Sequence, residues 1–150
     1  MAVSSLVYAS RATRDFTSED LNGLAARASR KNKGLRVTGY LCHQKGIFFQ
    51  YIEGPTAELS ALIKSIRNDD RHDIFNEIDL GRIDDRKFPD WNMRSIDSTS
   101  LQMIQMEDIL RQVLENMAER NYGLERLRNL VLPMVAKISE RQAMLSGQAG

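Results

Sequence analysis

Gln50 stands in the middle of Phe48-Phe49-Gln50-Tyr51-Ile52, where every other side chain is apolar or aromatic. A primary amide has a donor end and an acceptor end, and burying its polar atoms unpaired costs roughly 1–3 kcal/mol. Either neighbouring protein groups answer it, or a polar ligand lies against that face. Tyr8, in Leu6-Val7-Tyr8-Ala9, poses the same question; taken alone it is a core tyrosine with a bonded hydroxyl. Asn32, Asp69 and His72 are further polar residues that fall where helices should end. Tyr8, Gln50 and Asn32 do not titrate near neutral pH, and His72 has no evident partner, so a hydrolytic centre is a poor fit. Two histidines and one cysteine make no metal-ligand spacing, and Cys42, within an apolar strand, reads as a buried, inert thiol.

These residues need a frame. Residues 46–54 form a strand with Phe48, Gln50 and Ile52 on one face and Phe49, Tyr51 and Glu53 on the other. Apolar residues on both faces predict a central strand covered on both sides. A first strand spans residues 3–9, with Leu6 and Tyr8 sharing a face. Thr17 or Ser18 caps a helix whose stripe is Leu21, Leu24, Ala25 and Ala28 and whose end is Gly34. Residues 35–43 are a second strand, joined to residues 46–54 by a hairpin turn at Gln44-Lys45-Gly46. Gly54-Pro55-Thr56 opens a second helix, carrying Leu59, Leu62, Ile63 and Ile66, that stops near Asn68. Residues 74–83 form a fourth strand and Asn92 to Ile96 a fifth. The order predicts an α+β, ferredoxin-like βαββαβ(β) domain over residues 1–97: one antiparallel sheet with two helices on one face.

The other face needs a cover, and residues 98–150 supply it as two helices and a frayed tail beginning at Leu145. Met103, Met106, Leu110, Val113 and Met117 recur at helical spacing. After Gly123 the pattern resumes with Leu124, Leu127, Leu130, Val131, Met134 and Ile138, and Pro133 is expected to kink or split this helix. An exposed, methionine-rich helix pair predicts a homo-oligomer.

On this frame Tyr8 and Gln50 lie on neighbouring strands and face the first two helices. Asn32, Asp69 and His72 converge on the same slot, lined by Leu24 and Ile66. A planar, amide-rich ligand would satisfy Gln50 and Asn32 between those aliphatic walls. With 150 residues, 42% apolar, the chain buries one core, and a net charge of +1 argues against a nucleic-acid footprint. The absence of a membrane-spanning run or signal pattern predicts a soluble, cytoplasmic protein.

The ordered set of Tyr8, Asn32, Val37-Thr38-Gly39-Tyr40-Leu41, Phe48 to Gly54, Asp69-Asp70-Arg71-His72 and Phe88-Pro89-Asp90-Trp91-Asn92-Met93 resembles the BLUF family of blue-light sensors, across residues 3–97. The resemblance implies a blue-light photoreceptor, not an enzyme, with a non-covalent flavin: FAD, with FMN or riboflavin as alternatives. It implies that Tyr8 and Gln50 carry the photochemistry and that Tyr8, Leu24, Asn32, Gln50, Ile66, Asp69 and His72 hold the cofactor. Trp91 and Met93 would relay the signal, and which lies nearer the flavin stays open. Lys31 and Ser65 depart from residues that some members carry, which leaves Lys31 or Arg71 to meet a flavin phosphate. A short, stand-alone member would signal through its C-terminal helices to a separate effector protein. The alternative is an RNA-recognition-like module, because Lys45-Gly46-Ile47-Phe48-Phe49-Gln50-Tyr51-Ile52 partly mimics that fold's central strand.

Overall fold

The computed structural model describes residues 3–119 and 123–146. Thr17 accepts the Asp20 N–H at 3.1 Å while Asp20 Oδ2 accepts the Thr17 N–H at 3.0 Å, a reciprocal cap that starts α1 (Ser18–Leu35) after β1 (Val3–Ala12). The helix does not stop at Gly34. Arg36 takes the left-handed conformation (φ 57°) that closes it, and β2 (Thr38–Gln44) starts later than expected. That conformation is costly for a residue with a Cβ. Here Arg86 Nη2 holds the Arg36 carbonyl at 2.6 Å, and Glu58 pairs with the Arg36 guanidinium at 2.6 Å.

Lys45 and Gly46 both have positive φ (51° and 80°), the two-residue turn that suits a right-handed hairpin, and lead into β3 (Ile47–Pro55). Pro55 precedes α2 (Thr56–Arg67), β4 is His72–Ile83, and β5 is only Arg94–Ile96. The sheet order is β4-β1-β3-β2-β5. It is not wholly antiparallel, because β5 pairs parallel with β2. β4 ends beside Val3, at the end of the sheet where β2 begins, so a strand returning on the far edge runs with β2.

Alternation along β3 separates two cores. Phe48 and Ile52 join Leu21, Leu41 and Leu62 under α1 and α2; Phe49 and Tyr51 join Phe88, Ile96 and the C-terminal helices on the other face. The cover has two long helices, α4 (Glu107–Ala118) and α5 (Leu124–Arg141), with short α3 (Ser98–Met103) before them and α6 (Ala143–Ser146) after. The single helix expected over 100–121 is broken at Gln105, where φ is 59°. Pro133 does not split α5; buried Leu127 and Val131 before it, with Met134, Val135 and Ile138 after it, offset the lost hydrogen bond by packing.

Met106, Met117 and Met134 are buried in this core, whereas Met103 is 39% exposed; Leu124, placed in the stripe, is 61% exposed. Leu145 is buried, and its carbonyl accepts from Arg94 Nη2 at 2.7 Å, so the chain is docked there rather than frayed; residues 147–150 lie outside the described residues. The RNA-binding alternative fails because Phe49 and Tyr51, the rings it needs free for stacking, are 0% exposed. Among the described residues no helix is long and apolar enough to cross a membrane.

Candidate functional site

β1 and β3 are paired so that Tyr8 lies directly opposite Gln50. Both side chains point under α1 and α2. The Tyr8 hydroxyl donates to Gln50 Oε1 at 2.5 Å, and Gln50 Nε2 donates to Met93 Sδ at 3.1 Å. Both ends of the amide therefore have side-chain partners, one of them a weak sulfur acceptor. Burial pushes the Tyr8 phenol well above its ordinary range, and the nearby Asp69 carboxylate adds to the shift. The phenol stays protonated at neutral pH and keeps its role as donor to Gln50.

Tyr8 and Gln50 line a cleft of about 260 Å³ between α1 and α2. All seven residues expected to hold a ligand line it: Tyr8, Leu24, Asn32, Gln50, Ile66, Asp69 and His72. They meet it differently. Asn32 is only 2% exposed, and its side-chain amide has no hydrogen-bond partner among the described residues. His72 is already engaged, with Nδ1 2.7 Å from Ser10 Oγ and Nε2 2.9 Å from the Ile66 carbonyl, so it offers the cleft a ring edge. Arg71 chelates Asp69 and holds its carboxyl well below the usual range, down to about 2. Arg71 is therefore a neutralised cation, whereas Lys31 Nζ reaches only a neutral hydroxyl, Ser65 Oγ, at 3.3 Å.

The wall residues that sequence reasoning missed include Phe16, Arg27, Ala28 and Leu62. Their signal was helical spacing. Leu24, Arg27, Ala28 and Lys31 on α1, and Leu62, Ser65, Ile66 and Asp69 at α2, each follow the i, i+3, i+4, i+7 pattern of one helix face. Phe16 precedes α1 and packs edge-on against Phe48 at 5.0 Å; no local pattern marks it.

The two residues expected to relay the signal are on opposite faces. Met93 contacts Gln50, whereas Trp91 is stacked on Phe88 at 5.0 Å in the core beneath the C-terminal helices. Both precede β5 rather than lie in it. Gly39 fixes their approach: its N–H donates to the Trp91 carbonyl at 2.8 Å, and a Cβ on it would lie 1.9 Å from the Tyr51 carbonyl oxygen. Among the described residues no group of three or more histidine, cysteine or carboxylate side chains is placed to hold a metal ion.

A cleft lined by the Asn32 amide, by aliphatic side chains and by Arg27 and Lys31 fits a planar ring carrying polar edges and a phosphorylated tail. Known proteins point to such a ligand. The photoactivated adenylate cyclase subunit beta of Euglena longa is 31% identical over 116 residues, covering 76% of this chain and 14% of that protein. The chain thus spans about a seventh of the length of that relative. BlrB, a BLUF protein solved in its dark state, superposes with a TM-score of 0.70 at 27% identity, covering 93% of this chain and 96% of that one. Klebsiella pneumoniae BlrP1, solved with FMN and cyclic diGMP, gives a TM-score of 0.59 at 29% identity, covering 89% of this chain and 34% of that one. The family described as sensors of blue-light using FAD matches residues 3–94. The chain belongs to that family, BLUF, and its domain is a flavin-based sensor of blue light.

Proposed function

We propose that the cleft between α1 and α2 holds the flavin ring and that Tyr8 and Gln50 are the residues that convert light into a changed hydrogen-bond pattern. The flavin, when bound, supplies visible absorption and an acceptor for one electron in its excited state. The Tyr8 phenol is the donor, and its proton already faces Gln50 Oε1 at 2.5 Å. An oxidised phenol is strongly acidic, so that proton has a short path to the amide oxygen, and both electron and proton return to Tyr8 afterwards. Gln50, rotated or tautomerised, then presents a different edge to its neighbours, and Met93 Sδ is the partner it would leave or keep. No substrate is turned over in this cycle. The observation that carries the reading is the buried Tyr8–Gln50 pair lining the cleft, with Met93 behind it as the acceptor for Gln50 and Asn32 lining the same cleft.

Leu24 and Ile66 would form the walls on either side of the ring, Asn32 would bond its polar edge, and Asp69 and His72 would close the far end. Lys31 and Arg27, rather than the neutralised Arg71, would meet a phosphate. FAD is the cofactor in this reading; FMN and riboflavin share the ring and differ only beyond it. The receiver is a separate cytoplasmic effector protein that reads the C-terminal helices, with Met93 and Trp91 as the connection on the two faces of the sheet. The test is an absorption spectrum recorded in the dark and after blue light. A flavin band with a small, thermally reversible red shift supports the reading, and the Gln50→Leu variant should keep the flavin and lose the shift. A normal shift in that variant would overturn the role of Gln50.

A further inference from the structure

Glu53 is 0% exposed, three residues along β3 from Gln50 and on the opposite face. A buried carboxylate demands several donors. Its Oε1 accepts from the Tyr51 hydroxyl at 2.8 Å and the Lys87 N–H at 2.9 Å; its Oε2 accepts from the Thr38 hydroxyl at 2.9 Å and the Phe88 N–H at 2.9 Å. Arg86 reinforces the same spot, donating to Thr38 Oγ1 at 2.9 Å and to the Arg36 carbonyl at 2.6 Å. Two consecutive backbone amides of the β4–β5 connection are therefore fixed to one side chain of β3. Met93, the acceptor for Gln50, lies five residues beyond Phe88 on that connection.

The Lys87 peptide also has a second side. Its carbonyl accepts from Ser139 Oγ at 3.1 Å and Gln142 Nε2 at 2.8 Å, at the C-terminal end of α5. The Lys87–Phe88 peptide unit is thus held by β3 through the Phe88 N–H and by the end of α5 through the Lys87 carbonyl. We propose that Glu53 is a positioning residue: it sets the Gln50–Met93 contact through residues 86–93, and the Lys87–Phe88 peptide unit it holds passes displacement of that segment to the end of α5. The inference rests on the reading of Gln50 as the switch. Hydroxyls can reverse their hydrogen bonds but backbone N–H groups cannot, so an amide in place of this carboxylate, with one acceptor oxygen, leaves one of the two loop N–H groups unpaired.

The experiment uses the full flavin-loaded chain and compares thermal return after blue light in the wild type, Glu53→Gln, Met93→Leu and the double variant. If Glu53 acts through Met93, each single variant changes the return rate about tenfold, and the double variant returns at the Met93→Leu rate. Effects that multiply, to about a hundredfold, would overturn the proposal, as would an unchanged rate in Glu53→Gln. Should Glu53→Gln fail to fold, Tyr51→Phe removes one of the four donors from the face away from the cleft and should show the same non-additivity at about threefold. Amide hydrogen exchange at residues 139–142 reads the other arm: it should change on illumination in the wild type and not in the Glu53 or Tyr51 variant. No light-dependent change in the wild type would remove α5 from the relay. A wild type that binds flavin but gives no reversible shift would end the Gln50 reading itself, whereas a normal shift with multiplying effects would end only this inference.

Discussion

Under α4 and α5, Tyr40, Phe49, Tyr51 and Phe88 are fully buried and meet ring to ring at 5.2 to 6.2 Å. Under α1 and α2, the alternate residues of the same strand, Phe48 and Gln50, border a cleft of about 260 Å³. One strand thus builds a filled core on one side and borders an open cleft on the other. The difference lies in what the helices present. Buried Leu110, Val113, Leu127 and Val131 line the C-terminal side, whereas Ala28 and Ser65 are too small to fill the space between α1 and α2. Polar groups do not divide so simply: on the filled side Glu53 accepts four hydrogen bonds while the buried Tyr40 hydroxyl has no partner among the described residues, and on the open side the Asn32 amide lines the cleft. Packing makes one face rigid, and incomplete packing lets the other take a ligand.

The largest test of this contrast is functional. Tyr8→Phe keeps the ring packed in the floor and removes the phenolic proton, so flavin should still bind while the reversible red shift is lost; difference spectra after a blue pulse measure it. Next comes the packing contrast. Phe49→Ala should cost about 3–5 kcal/mol, because a close-packed site cannot collapse around the hole. Phe48→Ala, which already borders open space, should cost about 1–2 kcal/mol less than Phe49→Ala in urea denaturation of the flavin-free chain. Equal losses would mean that the cleft face is as tightly packed as the other.

A smaller effect distinguishes the end of the cleft. Asp69 has its folded pKa lowered to about 2 by Arg71, below its unfolded value. Its contribution is therefore complete above about pH 4 and is lost as pH falls through about 2. Asp69→Asn should be less stable than the wild type by about 1 kcal/mol at pH 7, with allowance for solvent at this partly exposed pair, and the gap should close toward pH 2. A gap that widens on acidification would contradict the assignment. The smallest change is expected at Leu124, 61% exposed at the start of α5, where substitution by lysine should move stability by less than about 0.5 kcal/mol.

Local pattern made much of this legible. The β3 alternation assigned Phe48, Gln50 and Ile52 to one face and Phe49, Tyr51 and Glu53 to the other, and the structure keeps that division. Periodicity of two needs no tertiary information beyond the presence of two covered faces. The errors share a cause. Arg36 rather than Gly34 ends α1 because Arg86 and Glu58, distant in sequence, hold it there. Leu124 follows the helical period yet falls outside the contact, because period alone does not say where an interface stops. Of the two outcomes expected at Pro133, a kink or a split, the split does not occur, and buried residues pack on both sides of it.

Sequence by itself determined the element order, the two faces of the central strand, the polar residues that needed partners and the ordered motifs of the family. Those properties follow from side-chain chemistry and backbone periods of two and 3.6 residues. Tertiary structure decided that β5 runs parallel to β2, that Met93 rather than Trp91 meets Gln50, and that His72 is already engaged while Asn32 is not. Each depends on where segments distant in the chain come to rest, and the segment before β5, tied to β2 by the Gly39 N–H on the Trp91 carbonyl, carries the most important of them.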